Sequence, residues 1–285
     1  MTSVPATNDL ETLQQWIGRT ETLHEPISLA QCRRLHDTLG LDGELHDGDA
    51  IPPLWHFVFH LTSAPIGRLG RDGHPERGGF LPPVALPRRM WAGGRFTFHG
   101  DLRIGDAVTK TSTVESVEMK SGRTGQLCFV TVRHELSVDG DVRVIEEQDL
   151  VYREDPAPGA PKPEPKPAPT EADWSRTIEP SEVLLFRYSA LTFNGHRIHY
   201  DREYAREVEG YEGLVFHGPL TATLLAGLAA DQLGPLGTFS FRGLSPLFDD
   251  APFEIGGIRG DEDTRLWAAT PSGGLAMQAT ATARA

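Results

Sequence analysis

Three histidines, His196, His199 and His217, fall within twenty-two residues of the run RYSALTFNGHRIHYDREYAREVEGYEGLVFHGPL, Arg187 to Leu220, in a chain that has eleven in all. Imidazole is the side chain whose charge changes near neutral pH, so this grouping reads first as acid–base chemistry. The run begins on an apolar, strand-like stretch and ends on an apolar, helix-like one from Pro219 to Ala230. Titratable groups held between two core elements are where chemistry usually sits. A metal centre made of the three histidines is the weaker reading. His196 and His199 are three apart, but no acidic or cysteine ligand is well spaced with them. No metal and no separate cofactor is expected.

The elements that must position these residues show in the rest of the chain. The 285 residues suit two domains of ordinary size or one large one, and an apolar fraction of 39% supplies a core. A formal charge of −13 argues against a nucleic-acid surface but leaves room for a small anionic ligand met by local arginines. Cys32 and Cys128 lie far apart and belong to no metal-type pair, which fits a reducing compartment. The start, MTSVPATNDLETLQQW, has no basic or apolar leader pattern, and no window reaches the ~18 apolar residues of a membrane span. The expectation is a cytosolic (cytoplasmic) protein without nucleic-acid or membrane partners, either monomer or homodimer.

One boundary is plain. Prolines recur at nearly every second position from Pro156 to Pro169, which predicts an extended polyproline strut of roughly 45 Å over residues 155–170. It divides the chain into residues 1–154 and 171–285. The two parts echo each other: Phe96-Thr97-Phe98-His99-Gly100 and Phe239-Ser240-Phe241-Arg242-Gly243 both read as an alternating strand running into a turn. An apolar helix candidate precedes each, at Pro53–Leu61 and Pro219–Ala230, so a duplicated unit is expected. Strands are predicted over 107–117, 127–136, 142–152, 264–270 and 275–282, with a capped helix over Asn8–Gly18. Gly67–Pro87 reads as a long loop of the kind that binds ligands. The fold class is α+β, each half an antiparallel sheet around one buried helix.

Phe193-Asn194-Gly195-His196-Arg197-Ile198-His199-Tyr200-Asp201, followed by His217-Gly218-Pro219-Leu220, resembles the MaoC-like hydratase and dehydratase family. The likeness is to the branch whose first half is similar to the dehydratase of type I fatty acid synthase, which Phe98, Gly100, Leu102 and Gly105-Asp106 fit. That branch includes mesaconyl-C4-CoA hydratase, itaconyl-CoA hydratase and hydroxyacyl-thioester dehydratase type 2. The resemblance implies a double hot-dog fold with a catalytic second half and a first half that accommodates substrate. It also implies reversible hydration of an enoyl-CoA, most simply a short branched dicarboxylate such as mesaconyl-C4-CoA or itaconyl-CoA to citramalyl-CoA. A (3R)-hydroxyacyl-thioester dehydratase of fatty chains, a non-catalytic acyl-CoA-binding protein and a thioesterase are the alternatives, and the carrier is CoA or acyl carrier protein.

By the same resemblance His199 is the catalytic base, and the Gly218 N–H faces the thioester carbonyl at a helix start, where negative charge is favoured. The wider family carries Asp five residues before its histidine. Asn194 stands there instead; it can hold water but accepts no proton at neutral pH, which leaves His199 to move protons both ways. His196 and Tyr200 are candidate support, and Asp201 reads as a helix N-cap or a substitute carboxylate. The ligand is anionic, so Arg197, Arg202 and Arg206 beside the motif, and Arg88, Arg89 and Arg95 around Trp91, are candidates for its phosphates or free carboxylate.

Overall fold

The β-branched, alternating runs become long antiparallel strands because each has one apolar face to bury. The computed structural model describes residues 6–122, 125–155 and 164–285. The first half supplies β1 (Thr20–Pro26), β2 (Arg88–Phe98), β3 (Ala107–Gly122), β4 (Gly125–Val138) and β5 (Asp141–Arg153). The second supplies β6 (Trp174–Ile178), β7 (Leu236–Gly243), β8 (Phe253–Arg259), β9 (Thr264–Ala269) and β10 (Leu275–Ala283). They form one ten-stranded sheet in the order β1-β3-β4-β5-β2-β7-β10-β9-β8-β6, with every pairing antiparallel.

Counted outward from the β2–β7 seam, the two sides have the same chain order, each strand of the second half lying where its first-half counterpart lies. This is the duplication expected from the sequence, and the two matching motifs meet at its centre, Phe96 opposite Phe239 and Gly94 opposite Phe241. The seam is close enough to demand glycine: a Cβ on Gly93 would lie 2.5 Å from the Phe241 carbonyl oxygen.

Among the described residues four α-helices accompany the sheet: α1 (Leu10–Gln14), α2 (Leu29–Leu39), α3 (Glu182–Leu191) and α4 (Gly218–Leu233). α4 is apolar on most sides and packs against β7, β8, β9 and β10, burying Leu220, Leu225, Ala226 and Leu228. A single core extends from it across the seam to Phe96, Phe239, Leu35 and Leu185. A second core, under β3 to β5, takes Leu13 and Trp16 from the α1 region.

The halves part company in their helices. The run Pro53–Leu61 is not a helix; it makes one tight turn, Trp55–Val58, bounded by Leu54 and His60 in left-handed backbone. Nine residues with no side-chain N-cap cannot sustain a helix against those ends. A turn and the loop to Pro87 thus stand in the first half where α4 stands in the second. The stretch Arg187–Leu191, read from sequence as strand-like, is the C-terminal half of α3. Ser181 caps this helix by accepting the Leu184 N–H, and Glu182 favours its positive end.

Half of the strut, 156–163, lies outside the described residues. Its far end runs beside the β9–β10 turn, where the Ala168 N–H donates to the Gly273 carbonyl at 2.9 Å. Cys32 and Cys128 are buried and unpaired. Among the described residues no helix is long and apolar enough to cross a membrane.

Candidate active site

Between α3 and α4 the chain makes a short turn, Arg197–His199, that buries Ile198 and His199 while leaving Gly195 and Tyr200 outside. Phe193 takes a positive φ of 50° just before it, and the Asn194 N–H returns to the Ser189 carbonyl at 2.8 Å. This turn faces a cleft of about 3080 Å³ that crosses both halves of the molecule. The cleft wall holds Asn194, His196, His199, Tyr200 and Gly218 from the second half. It also holds Asp72, His74, Arg89 and Trp91 from the first.

His199 Nδ1 donates to the Val215 carbonyl at 2.7 Å. A carbonyl accepts only, so this bond places the ring proton on Nδ1 and leaves Nε2 with a free lone pair. Burial pushes the imidazole down to about 4, against which the Val215 bond acts. The sequence reading asked for a histidine titrating near neutrality; the structure supplies one that is a neutral base throughout the neutral range.

The His217 ring stacks on His199 with centroids 3.7 Å apart, and its Nε2 lies 2.9 Å from Ser189 Oγ. It is fully buried, which holds it well below the usual histidine range. His196 meets His199 edge-on at 5.4 Å and meets His74 at 4.2 Å. Four imidazoles therefore form a row, from His74 on the first-half loop to His217 at the entry of α4. Gly218 follows His217 and opens α4, with Pro219 next; the first N–H groups of a helix have no partners inside it and face outward.

Several sequence candidates are occupied elsewhere. The Asn194 Oδ1 accepts the His196 N–H at 3.0 Å. Asp201 caps Tyr204 and pairs with Arg197 at 2.7 Å, so its carboxylate is turned from His199. Tyr200 donates its hydroxyl to the Gly195 carbonyl, and the Trp91 indole N–H donates to Gly93.

The arginines divide in the same way, because an acidic chain offers most of them carboxylates. Arg197 also lies over the Tyr204 ring, and Arg202 binds Asp249 and Glu182. Arg88 is buried with Asp155 and Glu209, while Arg95 binds Glu147 and Asp149 and is not on the cleft wall. Arg206 donates to the Glu212 carbonyl, also away from the wall. Arg89 alone of the six lines the cleft and forms no ion pair among the described residues. It lies close enough to His74 and His196 to disfavour their protonation.

Two sets of residues were not singled out in the sequence, Asp72 and His74 inside the loop read there as ligand-binding and a buried group on the first-half wall. The loop Arg71-Asp72-Gly73-His74 docks on the turn that bears His199: the Arg197 N–H donates to the Asp72 carbonyl at 2.9 Å, and Arg197 Nη1 donates to that of Arg71. The approach is so tight that a Cβ on Gly73 would lie 2.0 Å from the Gly195 carbonyl oxygen. The signal was available, since a Gly-rich loop that also carries Asp and His is unusual packing material. The second feature is a buried polar group on the first-half wall. His56 bonds Glu146 at 3.2 Å, and His134 lies 2.7 Å from Ser112. Burial raises the Glu146 carboxyl, but the His134 and His56 imidazoles outweigh it and hold it down at about 2.

The metal arrangement considered from sequence is not the one the fold assembles, since His199 and His217 stack face to face. Asp72, His74 and His196 place ligand-type atoms within 4.8 Å of one another. Within this group His74 Nδ1 donates to Asp72 Oδ2 at 2.9 Å, so the carboxylate is engaged on the imidazole and His74 keeps a lone pair only at Nε2.

Two duplicated halves of one antiparallel sheet meeting at a seam, with a buried helix whose N-terminus meets a buried histidine, define the double hot-dog class. A Mycobacterium tuberculosis protein described as a double hotdog superposes with a TM-score of 0.57 at 13% identity, over 93% of this chain and 95% of that one. HtdX of the same organism superposes with a TM-score of 0.68 at 19% identity, over 92% and 99%. The chain belongs to the hydroxyacyl-thioester dehydratase type 2 family, whose model matches residues 54–249. It is 47% identical over 274 residues to the mesaconyl-C(4)-CoA hydratase of Chloroflexus aurantiacus, covering 93% of this chain and 95% of that one. It is 28% identical to the mitochondrial hydroxyacyl-thioester dehydratase type 2 of Schizosaccharomyces pombe, over 72% and 77%.

Proposed function

We propose that this protein is a hydro-lyase that reversibly hydrates a short branched dicarboxylic enoyl-CoA, mesaconyl-C4-CoA or itaconyl-CoA, to citramalyl-CoA in the cytosol. The observation that carries the reading is the bare Nε2 of buried His199, one residue-stack away from the first N–H groups of α4. The 47% identity to a mesaconyl-C(4)-CoA hydratase supports the substrate class. With mesaconyl-C4-CoA, whose C=C is conjugated to the thioester, His199 Nε2 takes a proton from water in the hydration direction as the water oxygen bonds the β carbon. The C=C electrons move to the thioester oxygen, where the Gly218 N–H and the α4 terminus stabilise the enolate. His199 then returns its proton to the α carbon and is neutral again. Asn194 and Tyr200 line the water's approach. No metal or separate cofactor takes part, CoA being part of the substrate.

Arg89 is the cation left for the free carboxylate. In mesaconyl-C4-CoA that carboxylate sits on the β carbon, beside the point of attack, and Arg89 sits beside His74 and His196. The alternative, a (3R)-hydroxyacyl-thioester dehydratase of fatty chains, draws on the open first half, where a turn and loop replace the helix and leave length to the cleft.

A substrate panel with His199→Ala alongside tests the reading. Turnover of mesaconyl-C4-CoA or itaconyl-CoA, lost by about 10²- to 10⁴-fold in the variant, is expected for a single acid–base group. Turnover of crotonyl-CoA and longer trans-enoyl-CoA alone selects the fatty-chain reading. Release of free thiol marks a thioesterase, and binding without turnover marks a non-catalytic protein.

A further inference from the structure

The turn that bears His199 has no carboxylate of its own directed at the histidines, because Asp201 is held by Arg197 and the Tyr204 N–H. The carboxylate tied to the histidine row comes from the other half of the chain. Asp72 uses both oxygens on His74: Oδ1 accepts the backbone N–H at 3.0 Å, and Oδ2 accepts the ring Nδ1–H at 2.9 Å. That second bond sets the tautomer and leaves His74 Nε2 with its lone pair. Burial raises the Asp72 carboxyl, but His74 outweighs it and keeps the group ionised well below the carboxylate range. The His74 ring sits 4.2 Å from that of His196, which in turn meets His199. The loop is fixed on the turn by the Arg197 N–H and by the Gly73–Gly195 contact. Asp72, His74, His196 and His199 all face the same cleft.

We propose that Asp72 and His74, from the first half of the chain, are positioning residues of this active site: they present the bare His74 Nε2 beside the His196 ring and so hold the attacking water against His199 Nε2. The inference rests on the hydratase reading given above. It adds no proton transfer to that scheme. One O–H of the water breaks to His199, and the other donates a hydrogen bond to the imidazole pair and stays intact in the product hydroxyl. The active site is then built from both halves, and the first half does more than make room for substrate.

Asp72→Asn separates this role from a structural one. The amide oxygen can still accept the His74 backbone N–H, but the amide nitrogen replaces the acceptor at Oδ2 with a donor. The His74 ring must then turn a lone pair toward position 72 and an N–H toward His196. The expected result is a fall in kcat of about 10²-fold with KM changed by less than about threefold, and the same for His74→Gln. Asp72→Asn added to His199→Ala should cost nothing further, since residues acting as a unit are not additive. Histidine ring ¹⁵N spectra give a readout that needs no substrate: His74 carries its proton on Nδ1 in the native protein and on Nε2 in Asp72→Asn. Native kcat in Asp72→Asn, with His199→Ala inactive, overturns the proposal and leaves the hydratase reading standing. A native enzyme that turns over no thioester sinks that reading, and unchanged ring spectra in Asp72→Asn sink the carboxylate–imidazole pair itself. Zinc bound one to one in the purified protein and lost in Asp72→Asn would also overturn it, in favour of a metal at Asp72, His74 and His196.

Discussion

Gly73→Ala is the perturbation with the most calculable outcome. Its Cβ would start 2.0 Å from the Gly195 carbonyl oxygen and 2.9 Å from the carbonyl carbon, both backbone atoms that no rotamer change can clear. Real Cβ atoms essentially never come within 3.0 Å, so loop and turn must part by at least about 1 Å. Gly73 also has φ of 87°, where a side chain costs about 1–2 kcal/mol. Loss of the Arg197 N–H to Asp72 bond costs about 1 kcal/mol more. The sum, about 2–3 kcal/mol, lowers the melting temperature by roughly 3–5 °C in a chain of this size. A 1 Å displacement of His74 from His196 costs on the order of 10²-fold in kcat. Calorimetry and steady-state kinetics on the same preparation read both effects. Gly195→Ala, whose Cβ would stand 3.0 Å from the Gly73 carbonyl oxygen without a positive φ, should show a much smaller loss. Gly67→Ala, with nothing within 4 Å, should behave as native. A Gly73→Ala protein with native melting temperature and native kcat would refute the claim that this contact sets the geometry of the site.

The pH dependence follows from the same buried histidines. His199 must be neutral to act, and burial holds it at about 4 instead of 6.5, so kcat/KM should stay level from neutrality to about pH 5 and fall tenfold per unit below about 4; a break near 6.5 would place the base elsewhere. His199 and His134, the latter also held at about 4 by burial, are less easily protonated folded than unfolded. Their contribution to stability is therefore complete above 6.5 and lost as pH falls through about 4, which denaturant melts across that window should show. Arg89→Met should raise KM for mesaconyl-C4-CoA by at least about tenfold and leave crotonyl-CoA nearly unchanged, because only the first has a second carboxylate to lose. Equal effects on both substrates would move Arg89 to the phosphates.

The sheet was legible because its signal is local: β3, β4, β5, β9 and β10 each alternate in their own sequence. β1 and β6 went unread, being edge strands of seven and five residues with little apolar content. The Pro53–Leu61 run was misread because hydrophobicity alone does not separate a buried helix from a buried turn. The left-handed conformations at Leu54 and His60 are imposed by the surrounding fold, with no glycine to announce them. In the site, His199, Asn194 and Gly218 lie within one continuous segment and were visible together. Asp72 and His74 lie more than a hundred residues away, and nothing in their spacing links them to His196. The engagement of most of the arginines was hidden for a related reason: sequence shows a cation near a motif, and only the fold shows the carboxylate already bound to it.

The mirrored strand order has a consequence for what each half is free to become. Two identical units meeting at such a seam must place every residue in two settings at once, so a loop good for docking would also displace a helix needed for catalysis. Joining the units in one chain removes that constraint, since each copy can be altered without altering the other, and it also fixes their stoichiometry at one to one. Here one copy keeps the helix whose N-terminus faces the cleft, and the other has in its place a turn and a loop that reaches across. The division of labour within this molecule is a property of its covalent connectivity as much as of its residues.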